Sequence, residues 1–500
     1  MEALSLALAF LIIIFLTLSY FLFKNRSDND SRLPPGGTGW PIVGEALDFF
    51  FNPEKFIEDR MKKHSPDIFR TNFLGEKIVV ICGPNGHKFL WSNENKYFAT
   101  FYPQAIQKLF LTSQPKAETI VALRGPGFLK PDALIHYLSG MDSIIQQQLK
   151  IHLEGKSEVK IYPFSRTLTL TLACKFFMGM ENPERIAKLI RHFDEVTEGL
   201  HTLPLNLPGT AFHRASKAAE VIRKELEAVI QEKKAAGAGA GAGSKSQDLL
   251  SVFISGGVMS DAEIADTVMG LLVAGYGTVA IAITFFMKYV GETPDVYQVI
   301  LTEQLEISKT KQPGESLTWD DMPKMKYSWA AICEAMRLTP PLLGTLREAM
   351  TDFTYAGYTV PKGWKVFWTV NTTHKNSKYF QEPNKFNPSR FMEGEVPIAS
   401  FLPFGGGPRM CPGKEYARLL VLAFVHNVVK RYKWDMVYPG EKILGSMIPF
   451  PEMGLPVRLP KKHVLDQSVR SDIQNLLRKR AVRFKLISSR VYRNLVGVVY

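Results

Sequence analysis

One cysteine in this chain is placed where a thiolate can do chemistry. Cys411 lies in the run Phe404-Gly405-Gly406-Gly407-Pro408-Arg409-Met410-Cys411-Pro412-Gly413, where six of ten residues are Gly or Pro. Such a run has no regular structure of its own and needs neighbouring elements to fix it. The apolar stretch Tyr416 to Val429 predicts a helix directly after it, and Pro412 suits the helix entry. Cys411 is then expected beside a helix N-terminus, where backbone N–H groups favour a thiolate, with Arg409 adding positive charge. A thiolate so placed serves as a nucleophile, a zinc ligand or a haem ligand. No second cysteine or histidine is near enough to complete a local zinc site. A nucleophile needs a histidine base, which sequence distance does not rule out. A single thiolate under a flat cofactor fits the glycine-lined bend best. Cys82, Cys174 and Cys333 are far apart in apolar or mixed runs and are expected as buried free thiols.

Two further patterns bear on chemistry. Glu334 and Arg337 are three apart in a predicted helix over 326–339, so they share a face and can pair. Ala274-Gly275-Tyr276-Gly277-Thr278 sits inside the longest predicted helix, 259–292, where Ser260 and Glu263 form a capping box. Its apolar length suits either a core helix or a membrane span. Two glycines one residue apart favour a buried helix with an irregular centre.

The elements that must position these residues form a helix-rich α+β pattern. Ile78 to Ile81 predicts a buried strand followed by a Gly-Pro-Asn-Gly turn. Residues 132–155, 164–180 and 213–235 predict helices, and Ala235 to Ser246 a flexible surface loop. Short strands are expected at Thr354 to Tyr358 and Lys365 to Thr369.

Ala3 to Phe23 carries no charge, and its 21 residues reach about 30 Å as a helix, one hydrocarbon thickness. Lys24 and Arg26 follow, which puts the rest of the chain on the cytoplasmic side. The length of the run and the uncharged leading end argue against a cleaved signal. Residues 1–26 are therefore expected as a membrane anchor and 27–38, with Pro34-Pro35, as a stiff hinge. A body over 39–462 and a basic extension over 463–500 complete the organisation. Residues 466–500 carry eight Lys or Arg against two Asp, a net +6 of the total +13. With no zinc finger and no aromatic-basic interleaving, that charge points to membrane lipid or a protein rather than nucleic acid.

The Cys411 loop, with Phe404, Gly407, Arg409 and Gly413, resembles the haem loop of the cytochrome P-450 superfamily. Glu334-x-x-Arg337 and Phe386 to Phe391, with Pro388 and Arg390, resemble two more of its motifs, and the likeness spans about residues 33–462. Ser92 to Lys96, Asn206 to Thr210, Phe212 to Ala215 and Cys411 to Arg418 are most similar to plant microsomal triterpene oxidases of the β-amyrin 28-oxidase type. Taxane-type diterpene and sterol oxidases remain alternatives. The resemblance implies a mainly α fold with small β sheets and a haem b ligated axially by Cys411. Phe404, Gly405, Gly413, Arg347, Arg409 and Arg124 are implied around the haem, and Glu334, Arg337 and Arg390 as a network behind the loop. It further implies a hydrophobic substrate among Ala274, Leu342, Leu343, Gly344, Thr345, Pro449 and Phe450. Electrons would come from NADPH through a separate flavoprotein reductase, O2 would be co-substrate, and the protein would be a monomer on the endoplasmic reticulum membrane. Thr278 matches the family's proton-relay alcohol. Gly277 stands where the family has an acid, the basic helix near 116–127 is shortened, and the chain continues past the family's usual end. These departures imply weak coupling or an impaired haem- or reductase-binding paralogue as a second expectation.

Overall fold

The computed structural model describes residues 2–24, 31–40, 43–110, 131–200, 202, 204–239, 248–312, 314–392, 396–445 and 447–460. The expectations for Arg124, the 116–127 region and the 463–500 extension fall outside those residues.

Helix α1 (Glu2–Lys24) turns Leu8, Phe10, Leu11, Ile13 and Phe15 outward, all well exposed. After it, the prolines are not a free strut. The Arg70 N–H donates to Pro35 O at 2.8 Å, and the Thr359 N–H donates to Arg32 O at 2.7 Å. The segment is therefore tied both to the five-stranded sheet, through Arg70, and to a separate hairpin, through Thr359.

The five-stranded sheet takes β1 (Ile68–Phe73), β2 (Glu76–Ile81), β3 (Phe98–Phe101), β4 (Gly344–Ala349) and β5 (Lys365–Thr369) in the spatial order β1-β2-β5-β4-β3. Only the β2–β5 pair is parallel. The β-branched run of β2 is buried, as expected for a central strand. The Gly-Pro-Asn-Gly that follows is not a turn. It opens helix α2 (Gly83–Ser92), because Pro84 in the first turn has φ preset for a helix and no N–H to lose. The expected strand Thr354 to Tyr358 is a hairpin of Phe353–Tyr355 and Tyr358–Val360, turned where Ala356 and Gly357 both take positive φ.

Most of the rest is helical, with main helices α3 (Pro131–Leu153), α4 (Ile161–Ala173), α5 (Pro183–Gly199), α6 (Ala211–Gly239), α7 (Asp261–Gly291), α8 (Lys326–Leu338) and α9 (Lys414–Arg431), beside a small three-stranded sheet of Glu158–Lys160, Pro456–Arg458 and Asp435–Met436 and a two-stranded one of Ile443–Leu444 and Phe450–Pro451. The fold is thus mainly α with small sheets. Helix α6 runs to Gly239, so the first residues of the alanine-rich stretch are helical, as alanine favours.

Helix α7 starts at the Ser260–Glu263 capping box and packs against α4, α6, α8 and α9. It is long and apolar enough to cross a membrane, yet Leu272, Ile281, Ile283, Phe285 and Phe286 are buried by protein, which makes it a core helix. Its expected irregular centre is absent, and helical structure continues through Gly275 and Gly277. The glycines cost about 1 kcal/mol each against alanine. Burying each of those large side chains contributes about 1.5–3 kcal/mol and outweighs them.

Candidate functional site

The glycine loop is shaped by two tryptophans. A Cβ on Gly406 would sit 2.3 Å from the Trp91 ring, and one on Gly407 would sit 2.6 Å from the Trp91 Cβ. Trp91 belongs to α2, so the end of α2 and the loop touch with no room for side chains at these two positions. Gly405 takes φ +68°, the left-handed region that favours glycine, and faces Trp368 of β5. The loop then closes on itself, the Cys411 N–H donating to Phe404 O at 2.9 Å. Helix α9 starts after its N-cap, Gly413.

Of the four free cysteines, Cys411 alone is not fully buried. Burial pushes the Cys174 thiol up to about 12 and raises those of Cys82 and Cys333 as well. Burial also raises the Cys411 thiol, and the Gly413 N–H works against it. The positive charge expected beside the sulfur is spent elsewhere. Arg409 makes its contacts with Glu94 and Asn95.

Behind the loop, Glu334, Arg337 and Arg390 come together. Glu334 and Arg337 have no exposed surface and form a bidentate pair at 2.7 and 2.8 Å. Arg390 Nε reaches the same carboxylate at 2.9 Å, and the Asn387 N–H reaches it at 3.0 Å. Arg337 also donates to the carbonyls of His374, Pro383 and Lys385. His374 carries the connection onward, its Nε2 accepting the Leu402 N–H at 2.9 Å just ahead of the loop. Burial first, then the Arg337 charge, hold His374 well below the usual histidine range, so it stays neutral and can accept. His374 was not foreseen, since a lone histidine in a loop carries no sequence signal.

A second Glu–Arg cluster includes Arg409 of the loop itself. Arg347 of β4 donates through Nε to Glu94 at 3.0 and 3.1 Å, and Arg409 Nε lies 3.3 Å from the same carboxylate. Thr345 accepts from both Arg347 Nη1, at 3.1 Å, and Trp368 Nε1, at 2.8 Å. Glu94 also went unforeseen. It lies in a turn between α2 and β3, made by Asn95 at φ +64°.

At the centre of α7 the Thr278 hydroxyl donates to Ala274 O at 2.7 Å. Gly275 faces the Phe177 ring, which packs on Tyr416 of α9 at 5.4 Å between centroids. A Cβ at Gly277 would meet nothing within 4 Å. Tyr276 is turned the other way. Its hydroxyl bonds Arg166 at 2.9 Å and Thr197 at 3.2 Å, beside the Arg166–Asp194 ion pair. Burial pushes Tyr276 up to about 12.

The remaining pocket candidates divide. Ala274 and Leu342 are exposed. Leu343 packs in the sheet core with Val366 and Trp368, and a Cβ on Gly344 would lie 2.1 Å from Trp368 O. Both serve strand packing. Thr345 is engaged with Arg347 and Trp368, Pro449 is buried, and Phe450 stacks on Tyr162.

A family model described as Cytochrome P450 matches residues 34–455. The chain is 46% identical to a beta-amyrin 28-monooxygenase of Vitis vinifera, covering 91% of this chain and 98% of that protein. It is 48% identical to a beta-amyrin 6-beta-monooxygenase of Solanum lycopersicum, covering 88% and 95%. Among solved structures, the retinoic acid-bound cyanobacterial CYP120A1 is similar with a TM-score of 0.74 and 29% identity, covering 85% of this chain and 99% of that one.

Proposed function

The chain belongs to the cytochrome P450 family, and from that premise we propose that it oxidises an unactivated carbon of a β-amyrin-like triterpenoid, with Cys411 as the thiolate that would hold a haem b. One observation carries the substrate class. Relatives at 46% and 48% identity over most of the chain are named for acting on β-amyrin.

When bound through a thiolate, the haem supplies O2 activation, with one oxygen entering a C–H bond and the other leaving as water, on electrons from NADPH through a flavoprotein reductase. The residues present fit the group. Cys411 offers the one partly accessible thiol, and the Gly413 N–H tempers its charge. Among the described residues, Arg347 Nη2 and Arg409 Nη1 have no protein hydrogen-bond partner, which suits them to hold two propionates. Thr278 has spent its proton on Ala274 O, so its oxygen is left to accept, as it would from a relay water. Ala274 and Leu342 are apolar and exposed, which suits them to meet an apolar substrate. Helix α1, 23 residues and about 34 Å long, is the right length for a single span of the endoplasmic reticulum membrane, with the body as a monomer on the cytoplasmic side.

The test is a carbon monoxide difference spectrum of the reduced protein, then turnover with reductase on β-amyrin, a taxane diterpene and a sterol. The expected result is the thiolate-type band and an oxidised β-amyrin. Loss of the band in Cys411→Ala is required. Oxidation of the diterpene or sterol alone would replace the substrate class.

Gly277 favours a second reading, a haem protein that consumes NADPH with little product. A glycine has no titratable group, and positioned proton transfer is worth about 100- to 10,000-fold. The open space at Gly277 admits a carboxylate. Gly277→Asp is expected to raise product formed per NADPH several-fold, and an unchanged ratio removes the missing acid as the defect.

A further inference from the structure

Glu94 lies in the Ser92 to Lys96 stretch, yet nothing in the proposed chemistry gives it a role. Its side chain is 2% exposed, and its only cationic partners among the described residues are Arg347 and Arg409. These three come from separate parts of the chain: the turn after α2, strand β4 and the cysteine loop. A buried carboxylate is costly unless paired, so its placement is informative. Both arginines meet it with Nε. Arg347 spends Nη1 on Thr345 and Leu346 O, and Arg409 spends Nη2 on Asn95. What remains on each guanidinium is one Nη, as a shared clamp on the inner edges would leave it.

We propose that Glu94 is a positioning residue for the cofactor, holding Arg347 and Arg409 by their Nε edges so that their remaining Nη groups meet the two haem propionates, and setting the charge felt at the iron. The inference rests on the haem reading above. Two arginines and one glutamate leave the cluster at +1, which two propionates bring to −1. Replacing Glu94 by a neutral residue removes a negative charge beside the cofactor. That disfavours ferric iron, which carries the larger positive charge. The reduction potential therefore rises, while the freed guanidiniums hold the propionates less well. Removing Arg409 does the opposite to the potential.

The experiment uses the full chain in detergent, loaded with haem. It compares Glu94→Gln, Glu94→Asp and Arg409→Gln with the native protein. The readouts are the reduction potential and the rate of haem transfer to an apoglobin acceptor. Glu94→Gln is expected to lose haem at least ten-fold faster and to shift the potential positive. Arg409→Gln is expected to lose haem faster too, but to shift the potential negative. Glu94→Asp is expected to keep the native potential with faster haem loss. Opposite signs of the potential shift separate positioning and charge from general damage, which moves both variants alike. If Glu94→Gln does not fold, Glu94→Asp and Arg409→Gln still decide: both lose haem faster, while the potential shifts negative in Arg409→Gln and stays native in Glu94→Asp. A native protein that takes up no haem sinks the haem reading and this proposal with it. A native protein that loads normally, with unchanged potentials and loss rates in the variants, overturns the role of Glu94 alone.

Discussion

Two clusters in this protein are each built from one glutamate and two arginines, one ahead of the cysteine loop in its contacts and one including the loop's own Arg409. In the first, Glu334 binds Arg337 and Arg390, and Arg337 spends Nε and both Nη groups on five protein acceptors. In the second, Glu94 binds Arg347 and Arg409, and one Nη of each arginine has no described protein partner. The first is closed and can only hold the fold. The second is open, with one donor of each arginine left over. Composition is the same, so the difference lies in what the surrounding backbone offers. Three carbonyls converge on Arg337, whereas Arg347 and Arg409 meet side chains and a single neighbouring carbonyl.

Breaking the closed cluster should have the largest effect on folding. Arg337→Ala leaves Glu334 buried with half its pairing gone, and removing one member of a buried pair costs about 3–5 kcal/mol. The expected outcome is a large fall in folded yield and in the thermal midpoint, with or without haem. A variant as stable as the native protein would mean the cluster is not closed in solution.

The loop side of the open cluster is held by packing, which predicts an intermediate effect. Gly406→Ala drives a methyl group into Trp91, and overpacking of this kind costs about 1–3 kcal/mol. Trp91→Leu in the same chain should relieve most of it. Additive losses in a double-mutant cycle would show that the contact is not the cause.

Arg-to-Lys changes sharpen the contrast between the clusters. Lysine keeps the charge and loses the planar fork. Arg337→Lys should lower the melting temperature more than it alters haem retention, and Arg347→Lys the reverse. Equal effects on both readouts in both variants would erase the distinction.

The smallest effect is a pH slope. His374, tied to the closed cluster, stays neutral when folded but titrates near pH 6.5 when unfolded. Its contribution is complete above about pH 6.5 and is lost progressively as the pH falls below that, because the unfolded chain takes up the proton first. His374→Gln should flatten the acid side of a stability–pH curve measured by chemical denaturation. An unchanged slope would show that His374 is protonated in the folded state.

Much of this was legible in residue order. The capping box before α7, the β-branched run of β2, the uncharged stretch of α1 and the three-residue spacing of Glu334 and Arg337 are local patterns. Short-range geometry alone gives them their meaning. Where local rules competed, the sequence misled. Pro84 suits a turn or a helix start, and two glycines in α7 argue for irregularity until the burial of Phe285 and Phe286 is counted. What only the tertiary structure decided is which distant groups meet. Glu94 lies more than 250 residues from both arginines it joins, His374 acts through a carbonyl and one ring nitrogen, and Gly406 is glycine because Trp91 occupies the space. No periodicity encodes such contacts. They arise when sheet and loop close on each other, and the pairing energy of a buried charge depends on that closure and not on its neighbours in the chain.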